Sequence, residues 1–433
     1  MNTLTIDGYL PRIVDTMVDR YLGVFGAVVI EGPKWCGKTS TAKNHVVSET
    51  SMANPEGDFR ERTIAELEPS LAISGERPRL IDEWQDVPKL WDAVRYECDR
   101  TASKGLYLLT GSSTPKKRAG EGGSQKQPKH SGAGRIARIR MGTMTLSEQG
   151  LSSGKVSLAG LFEGKGYSAV SHLDLRSVAE LVVRGGWPAA IGMETKDAAL
   201  ISREYLDAVI EEDIHEVDGV ERDRDKVRKL VSSLARNEAT LATSKTIMKD
   251  MAEQDESITY PTLKEYLDAL RRMFFVDDIL PWDPALRSPA RIRAAAKHHL
   301  ADPSLAAAAL GASPEALMYD PKTLGFLFES LVTHDVLVYA EAVGASVRHY
   351  RDETGLEVDL VVTKPDGDWV AMEVKLGMDQ VDVAAKSLIA ARKKLVTKGE
   401  RPPKALVVVV GSGGVAHMRE DGVQVAPIDT LGI

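Results

Sequence analysis

The chain places Gly32-Pro33-Lys34-Trp35-Cys36-Gly37-Lys38-Thr39 between an apolar run, Ala27-Val28-Val29-Ile30, and the helix-compatible Ser40-Thr41-Ala42-Lys43. The octapeptide fits GxxxxGK[ST], and strand-then-helix flanks are what a phosphate-binding loop of that pattern requires. The physical demand is narrow. Glycines let the backbone curl so that its N–H groups face an anion, and the helix that follows adds the positive end of its dipole. Lys38 is expected to reach the β- and γ-phosphates of ATP, with the Thr39 hydroxyl on Mg²⁺. Gly32 to Thr39, together with Ser40, are the expected nucleotide cradle.

Downstream, Arg79-Leu80-Ile81-Asp82-Glu83 runs apolar residues into an acidic pair. Asp82 is expected to hold Mg²⁺, directly or through water, and Glu83 to orient and deprotonate the attacking water. A third short strand, Leu106-Tyr107-Leu108-Leu109, ends in Thr110-Gly111-Ser112-Ser113. Ligands of parallel sheets gather at carboxyl strand ends, so these hydroxyls are candidate γ-phosphate sensors. From Pro115 to Gly134 the chain turns to Lys, Arg, Gly, Ser and Gln, and reads as a basic loop. Then Gly134-Arg135-Ile136-Ala137-Arg138-Ile139-Arg140 alternates apolar with basic residues, as a half-exposed strand does. Arg135 is the candidate to steady charge on the transferred phosphoryl group, since its delocalised fork suits that role.

Taken with Tyr9-Leu10-Pro11-Arg12, Thr145-Leu146-Ser147-Glu148 and Gly185-Gly186-Trp187-Pro188, these motifs resemble AAA-superfamily ATPases of bacteria and archaea. More narrowly, the chain is similar to the subgroup of ATP-binding proteins that carries a C-terminal domain of unknown function. The resemblance implies a P-loop fold and nucleotide binding and supplies no substrate. The basic insertion before Gly134 departs from the pattern.

Residues 170–235 are rich in helix formers, with Val209, Ile210 and Ile214 on one side and acids on the other. Further on, Leu263, Tyr266, Leu267 and Leu270 recur at helical spacing behind Thr259, a candidate N-cap. Phe274-Phe275-Val276 and Ile279-Leu280 read as a short strand pair. Helices followed by strands suggest a winged helix, whose second helix can enter a major groove. Glu265 and Asp268 beside Lys264 give that helix no basic face, which phosphate affinity would demand.

The last part of the chain carries a second chemical signal. Glu329 lies on an amphipathic helix pattern, Leu356 to Val362 is a strand bearing Glu357 and Asp359, and Trp369 to Lys375 is its hairpin partner after a Pro-Asp-Gly turn. Glu373 and Lys375 share one strand face by the two-residue period, and Asp359 can lie opposite them. Two carboxylates and a lysine at a hairpin suit metal-assisted phosphodiester cleavage. Asp359 and Glu373 are expected to bind Mg²⁺, and Lys375 to orient water or steady the phosphate. The arrangement resembles the restriction-endonuclease core, with Glu329 matching that fold's additional acidic metal position. Arg392-Lys393-Lys394, Lys398, Arg401 and Lys404 are candidate phosphate contacts.

Bulk properties narrow the classes. A net charge of −8 excludes wholesale coating of nucleic acid but leaves room for a local basic face. Cys36 and Cys98 form no CxxC pair, so neither a disulfide framework nor a zinc site is indicated. No apolar run reaches membrane-span length and no secretion signal is visible, so a cytoplasmic protein is expected. The expected fold class is α/β, in three parts. Residues 1–165 form an AAA-type ATPase domain with a parallel sheet, 166–285 a helical and winged-helix-like segment, and 286–433 a restriction-endonuclease-like domain. The expected function is a Mg²⁺-dependent ATPase coupled to a nuclease-like domain that engages DNA, with homo-oligomers as candidate assemblies. The alternative is an ATP-gated DNA-binding or protein-interaction regulator whose nuclease-like domain is inert.

Overall fold

A computed structural model describes residues 3–114, 130–253, 258–283, 295–397 and 399–433. The chain divides into two compact units. The first comprises Met1–Thr143, Glu211–Arg222 and Leu267–Phe275, and the second Met144–Ile210, Asp223–Tyr266 and Val276–Ile433. No helix among the described residues is long and apolar enough to cross a membrane.

The first unit is built on five parallel strands: β1 (Ala27–Glu31), β2 (Ser48–Ser51), β3 (Arg79–Asp82), β4 (Tyr107–Gly111) and β5 (Ile136–Arg140), in the order β2-β3-β4-β1-β5. The apolar runs of β1 and β4 reflect burial on both faces, the usual condition of a central parallel strand. The two-residue strand period sorts them into separate cores. Ala27, Val29, Ile81 and Leu109 pack with Trp84, Trp91 and Val94 on one side. Val28, Ile30, Leu80 and Leu108 pack with Val18, Ala42 and Ile139 on the other. The helix Lys89–Thr101 supplies Leu90, Trp91, Val94 and Cys98 from one face to the first core.

Two excursions from later in the chain belong to this unit because of specific pairs. Asp218 takes Arg222 at 2.8 Å and Arg272 at 2.7 Å, with its side chain almost fully buried. The Arg140 guanidinium lies 4.3 Å from the Phe274 ring centroid and donates to the Phe274 carbonyl. The Thr114 amide donates to the Arg272 carbonyl at 2.9 Å.

The second unit carries short strands β6 (Val156–Ser157) and β7 (Ala169–Val170), a hairpin-like pair β8 (Val276–Ile279) and β9 (Lys297–Leu300), and a C-terminal series, β10 (Ser346–Arg351), β11 (Glu357–Thr363), β12 (Trp369–Lys375), β13 (Ala405–Val410), β14 (Val415–Met418), β15 (Val423–Pro427) and β16 (Leu431–Gly432). Seven of these form one sheet in the order β10-β11-β12-β13-β15-β14-β7. The helix Pro321–Ala342 precedes three antiparallel strands, and the helix Val381–Thr397 makes the crossover from β12 to the parallel β13. That crossover helix buries Ala384, Ala385, Leu388, Ala391 and Leu395 against Val361, Ala371, Val408 and Val410.

Helices account for most of the described residues between 175 and 272, as the periodicity predicts, with side-chain N-caps from Asp174, Asp223 and Thr243. The strand pair expected from Phe274–Val276 and Ile279–Leu280 does not form. Instead β8 runs straight through Asp277-Asp278 and pairs antiparallel with β9.

Two expectations about the first unit follow. The Arg12 guanidinium is buried and donates to the Cys36 carbonyl at 2.8 Å and to the Gly142 and Thr143 carbonyls at 3.0 Å. Arg12→Ala should therefore lower stability by about 2–4 kcal/mol in chemical denaturation, because three carbonyl contacts to a charged donor are lost in a dry site. Arg12→Lys should recover only part of this, since an ammonium cannot reproduce the fork. The second expectation concerns acid. Burial raises the Asp218 carboxyl, but hydrogen bonds from Arg222 and Arg272 outweigh it and hold the group down at about 2. A carboxyl lowered on folding adds stability above its unfolded value near 4, and that increment drains away as pH falls towards 2. Asp218→Asn should flatten this acid limb in denaturation curves taken between pH 5 and 2; an unchanged limb removes Asp218 from the account.

Candidate active sites

The first site lies at the carboxyl ends of the parallel strands. As β1 exits, Gly32 passes so close to the next strand's extension that a Cβ there would stand 1.9 Å from the Met141 carbonyl oxygen. Only glycine fits. The loop then takes Trp35 and Gly37 through left-handed conformations, at φ 64° and 101°, before the helix Lys38–Lys43 begins. Cys36 is fully buried and its thiol donates to the same Met141 carbonyl, so the small residue at this variable position is a packing element. The Lys38 ammonium donates to the Pro33 carbonyl within its own loop at 2.7 Å. Lys34 points elsewhere, to Asp213 at 2.5 Å. Trp35 is exposed.

Asp82 closes β3 and is the meeting point of the site. One carboxylate oxygen accepts from Thr39 at 2.7 Å and from Thr110 at 2.6 Å, while the other accepts from Ser51 at 3.0 Å. Glu83 follows in a left-handed conformation, φ 53°, which a non-glycine residue adopts at a cost. Its amide donates to Thr110 at 3.1 Å, and its carboxylate accepts from Ser112 at 2.9 Å and from Gln85. The strained backbone turns the carboxylate out of the strand and the two donors hold it there. The donor set of Thr39 hydroxyl and Asp82 carboxylate, hard oxygens at one point, fits Mg²⁺.

Thr110 and Ser112, candidates from strand-end position alone, are thus brought to the two acids. Arg135 is not. Its carbonyl accepts from the Ala27 amide, which sets it at the amino end of the sheet, a strand length of about 16 Å from the phosphate loop. There its guanidinium pairs with Asp99 at 2.5 Å. Strand alternation cannot tell which end of a strand faces the ligand. Arg140, level with Glu31 at the loop end, is the arginine of this strand that stands nearer the site. Arg12 was visible only as part of a family motif; its contact with the loop depends on a fold that joins residues 12, 36 and 142. Residues 115–129 of the basic loop lie outside the described residues.

The second site belongs to the C-terminal sheet. The pairing of Leu360 with Met372 puts Asp359, one step along, opposite Glu373. Asp359 accepts from the Val374 amide at 2.9 Å, and the Lys375 ammonium reaches Glu373 at 2.9 Å and Asp359 at 3.8 Å. The structure thus gathers Glu329, Asp359, Glu373 and Lys375 around one cavity of about 360 Å³, which Glu357 and Arg351 also line. Burial, then the neighbouring Asp359, pushes the Glu329 carboxyl up to about 8 and that of Glu373 up to about 7.

A residue that the sequence reading passed over stands at the centre. Lys297, from β9, is 3 % exposed and puts its ammonium 2.8 Å from Glu329, 3.0 Å from Glu357 and 3.4 Å from Asp359. Burial alone would lower its pKa, but these three carboxylates more than reverse that. Among the described residues no group of three or more His, Cys, Asp or Glu side chains is arranged to hold a metal ion. The expected ligands Glu329, Asp359 and Glu373 are together, but in this arrangement they do not fit Mg²⁺, because two of them surround an ammonium. No sequence signal links position 297 to an acid-bearing hairpin; only the β8–β9 pairing carries it there. The expected phosphate contacts are also partly engaged, Lys394 with Asp352 at 2.5 Å and Lys404 with Asp368 at 3.2 Å, and Lys398 lies outside the described residues.

Comparisons with known proteins bear on the two sites unequally. Residues 25–149 match the AAA domain family, residues 175–316 a domain of unknown function (DUF8612), and residues 324–431 another domain of unknown function (DUF4143). Over 342 residues the chain is 24% identical to Uncharacterized protein Rv2008c of Mycobacterium tuberculosis, spanning 77% of this chain and 67% of that protein. Uncharacterized protein Mb2031c of Mycobacterium bovis matches to the same extent. Among solved structures, the Walker-type ATPase PABY2304 of Pyrococcus abyssi aligns at a TM-score of 0.41 with 12% identity, over 71% of this chain and 98% of that one. Replication initiator DnaA bound to AMPPCP and single-stranded DNA aligns at 0.28 with 13% identity, over 62% and 91%. Both structural likenesses are too distant to carry an argument. The family match, on a segment whose strand order and phosphate loop are already described, does carry one: it supports a P-loop ATPase type of domain over residues 25–149, and with it nucleotide binding.

Proposed function

We propose that the protein is an ATP hydrolase whose nucleotide site drives a C-terminal nuclease-like domain that engages DNA. The observation that carries the ATPase half is the convergence on Asp82 and Glu83 of Thr39 from the phosphate-loop helix and of Thr110 and Ser112 from the end of β4. In this reading the loop amides and Lys38 hold the β- and γ-phosphates, Lys38 leaving the Pro33 carbonyl to do so. Mg²⁺, held on the side of Thr39 and Asp82, would neutralise phosphate charge. Glu83 accepts a proton from water as the water oxygen bonds to the γ-phosphorus and the bridging oxygen leaves with ADP. Thr110, bonded to both Asp82 and the Glu83 amide, is placed to register whether the γ-phosphate is present.

For the C-terminal domain, support comes from the order helix, three antiparallel strands, crossover helix and parallel strand, with Asp359, Glu373 and Lys375 brought together. The three-part division, with an ATPase domain at 1–165, a helical and winged-helix-like middle at 166–285 and a nuclease-like end at 286–433, is part of this proposal. DNA engagement rests on the nuclease-like topology. A second reading, in which that domain binds without cutting and the nucleotide gates a regulatory surface, is favoured by Lys297, whose ammonium stands among the carboxylates that cleavage would need.

Lys38→Ala should lower the steady-state ATPase rate by ~100-fold or more, the usual loss when a donor to developing phosphoryl charge is removed. Glu83→Gln should bind ATP like the parent while losing ~10²–10⁴-fold in turnover, the range for a positioned base. Parent-like turnover in both variants sinks the ATPase assignment. Incubation with DNA, Mg²⁺ and ATP divides the two C-terminal readings. Cleavage abolished by Asp359→Ala supports a nuclease; retention of DNA by an uncutting parent supports the regulator.

A further inference from the structure

The C-terminal cavity poses a problem of charge. Four carboxylates, Glu329, Glu357, Asp359 and Glu373, share a small and largely buried space. Like charges so placed require cations among them, or protons. A protein with an oxygen cage for a hard divalent ion solves this with the ion, at oxygen distances near 2.0–2.1 Å for Mg²⁺. Here the centre is filled by the protein itself. Lys297 Nζ has three donors and three carboxylate partners, one on the helix Pro321–Ala342 and two on β11, at 2.8, 3.0 and 3.4 Å. An ammonium with three such partners is saturated. A divalent ion in the same space would meet its charge at contact range.

A second observation is independent of that count. Glu373 Oε2 is buried and has no hydrogen-bond partner, while Oε1 of the same carboxylate takes Lys375 at 2.9 Å. Its residue is 9 % exposed and lines the cavity. Buried carboxylate oxygens are ordinarily satisfied. The cluster therefore retains a ligand oxygen that neither Lys297 nor Lys375 uses.

We propose that Lys297 is a tethered cation standing where a metal ion would sit, so that the C-terminal carboxylate cluster takes no divalent cation while Lys297 is in place and becomes a divalent site when it is removed. The proposal shares its residues with the nuclease-like reading and rests on it only for the choice of cavity. Metal binding is read without DNA, so failure here and failure of DNA engagement are separate results. With Lys297 removed, Glu329, Glu357, Asp359 and the unpartnered Glu373 oxygen offer four oxygen-bearing ligands, the hard set that Mg²⁺ or Mn²⁺ prefers.

The test measures Mn²⁺ binding to the full chain by titration calorimetry and by the paramagnetic signal of free Mn²⁺. Nucleotide is absent, and every protein carries Asp82→Asn to silence the phosphate-loop site. The background protein should show no saturable site below millimolar Mn²⁺. Lys297→Met should gain one site at least tenfold tighter, and adding Glu373→Gln should abolish the gain. Because loss of a buried cation can weaken folding, melting temperature is read in parallel: Mn²⁺ should raise it for Lys297→Met and leave it unchanged for the background protein. Saturable Mn²⁺ binding by the background protein that Asp359→Asn removes would overturn the proposal, and that measurement needs no Lys297 variant to fold. A folded Lys297→Met chain that binds no Mn²⁺ would overturn it equally.

Discussion

The Asp82 carboxylate is the interaction on which the first unit turns. A buried charge without partners would be expelled or protonated, and this one accepts hydroxyl donors from Thr39, Thr110 and Ser51. Those partners come from the phosphate-loop helix, the end of β4 and the end of β2. One carboxylate thus couples the phosphate loop to strands on both sides of β3. The parallel sheet makes this feasible, since every strand delivers its last residue to the same edge. Glu83 depends on it in turn: Thr110 accepts from the Glu83 amide while donating to Asp82, so the strained turn that presents Glu83 is held by the same hydroxyl. Exchanging that hydroxyl for a methyl would leave both acids without a shared support.

How much of this was legible in the chain depends on range. The phosphate loop, the acidic pair and the apolar strands are local patterns, and each follows from backbone geometry within a few residues: Gly32 from close approach, Gly37 from positive φ, β1 from burial on both faces. The facing of Asp359 and Glu373 was also open to inspection, because a hairpin with a Pro-Asp-Gly turn fixes its own register. What escaped is non-local. Arg135 suits its role by residue type, but parallel pairing places its carbonyl on the Ala27 amide, at the far end of the strand from Glu31, and its charge goes to Asp99. The pairing of β8 with β9 spans an intervening stretch that no periodicity crosses. Lys297 escaped for the same reason: an isolated lysine before two histidines carries no mark of the acids it meets.

The two sites present opposite solutions to one electrostatic problem. At the phosphate loop, the acids are balanced by neutral hydroxyls and an amide, leaving charge in hand for an incoming cation and its phosphates. Lys38 meanwhile rests on a carbonyl from which it can depart. At the C-terminal cavity, fixed ammonium groups, Lys297 and Lys375, stand among the acids. The first arrangement invites exchange of ligands; the second resists it.

That contrast bears on how the parts could be coupled. The ATPase unit takes in residues 211–222 and 267–275, which interrupt stretches belonging to the second unit. Within it, Lys34 of the phosphate loop grips Asp213, and Asp218 grips Arg272. Lys34 occupies a variable position of the loop, next to the backbone of the phosphate cradle. Any shift of that backbone is passed to Asp213 through a charged pair, and the Asp218–Arg272 pair joins the two excursions to each other. Both excursions are continuous with helices outside the ATPase unit, so movement of the loop has a covalent route onwards. Two ion pairs thus tie the phosphate loop to both excursions, and neither involves an invariant position of the phosphate-binding pattern.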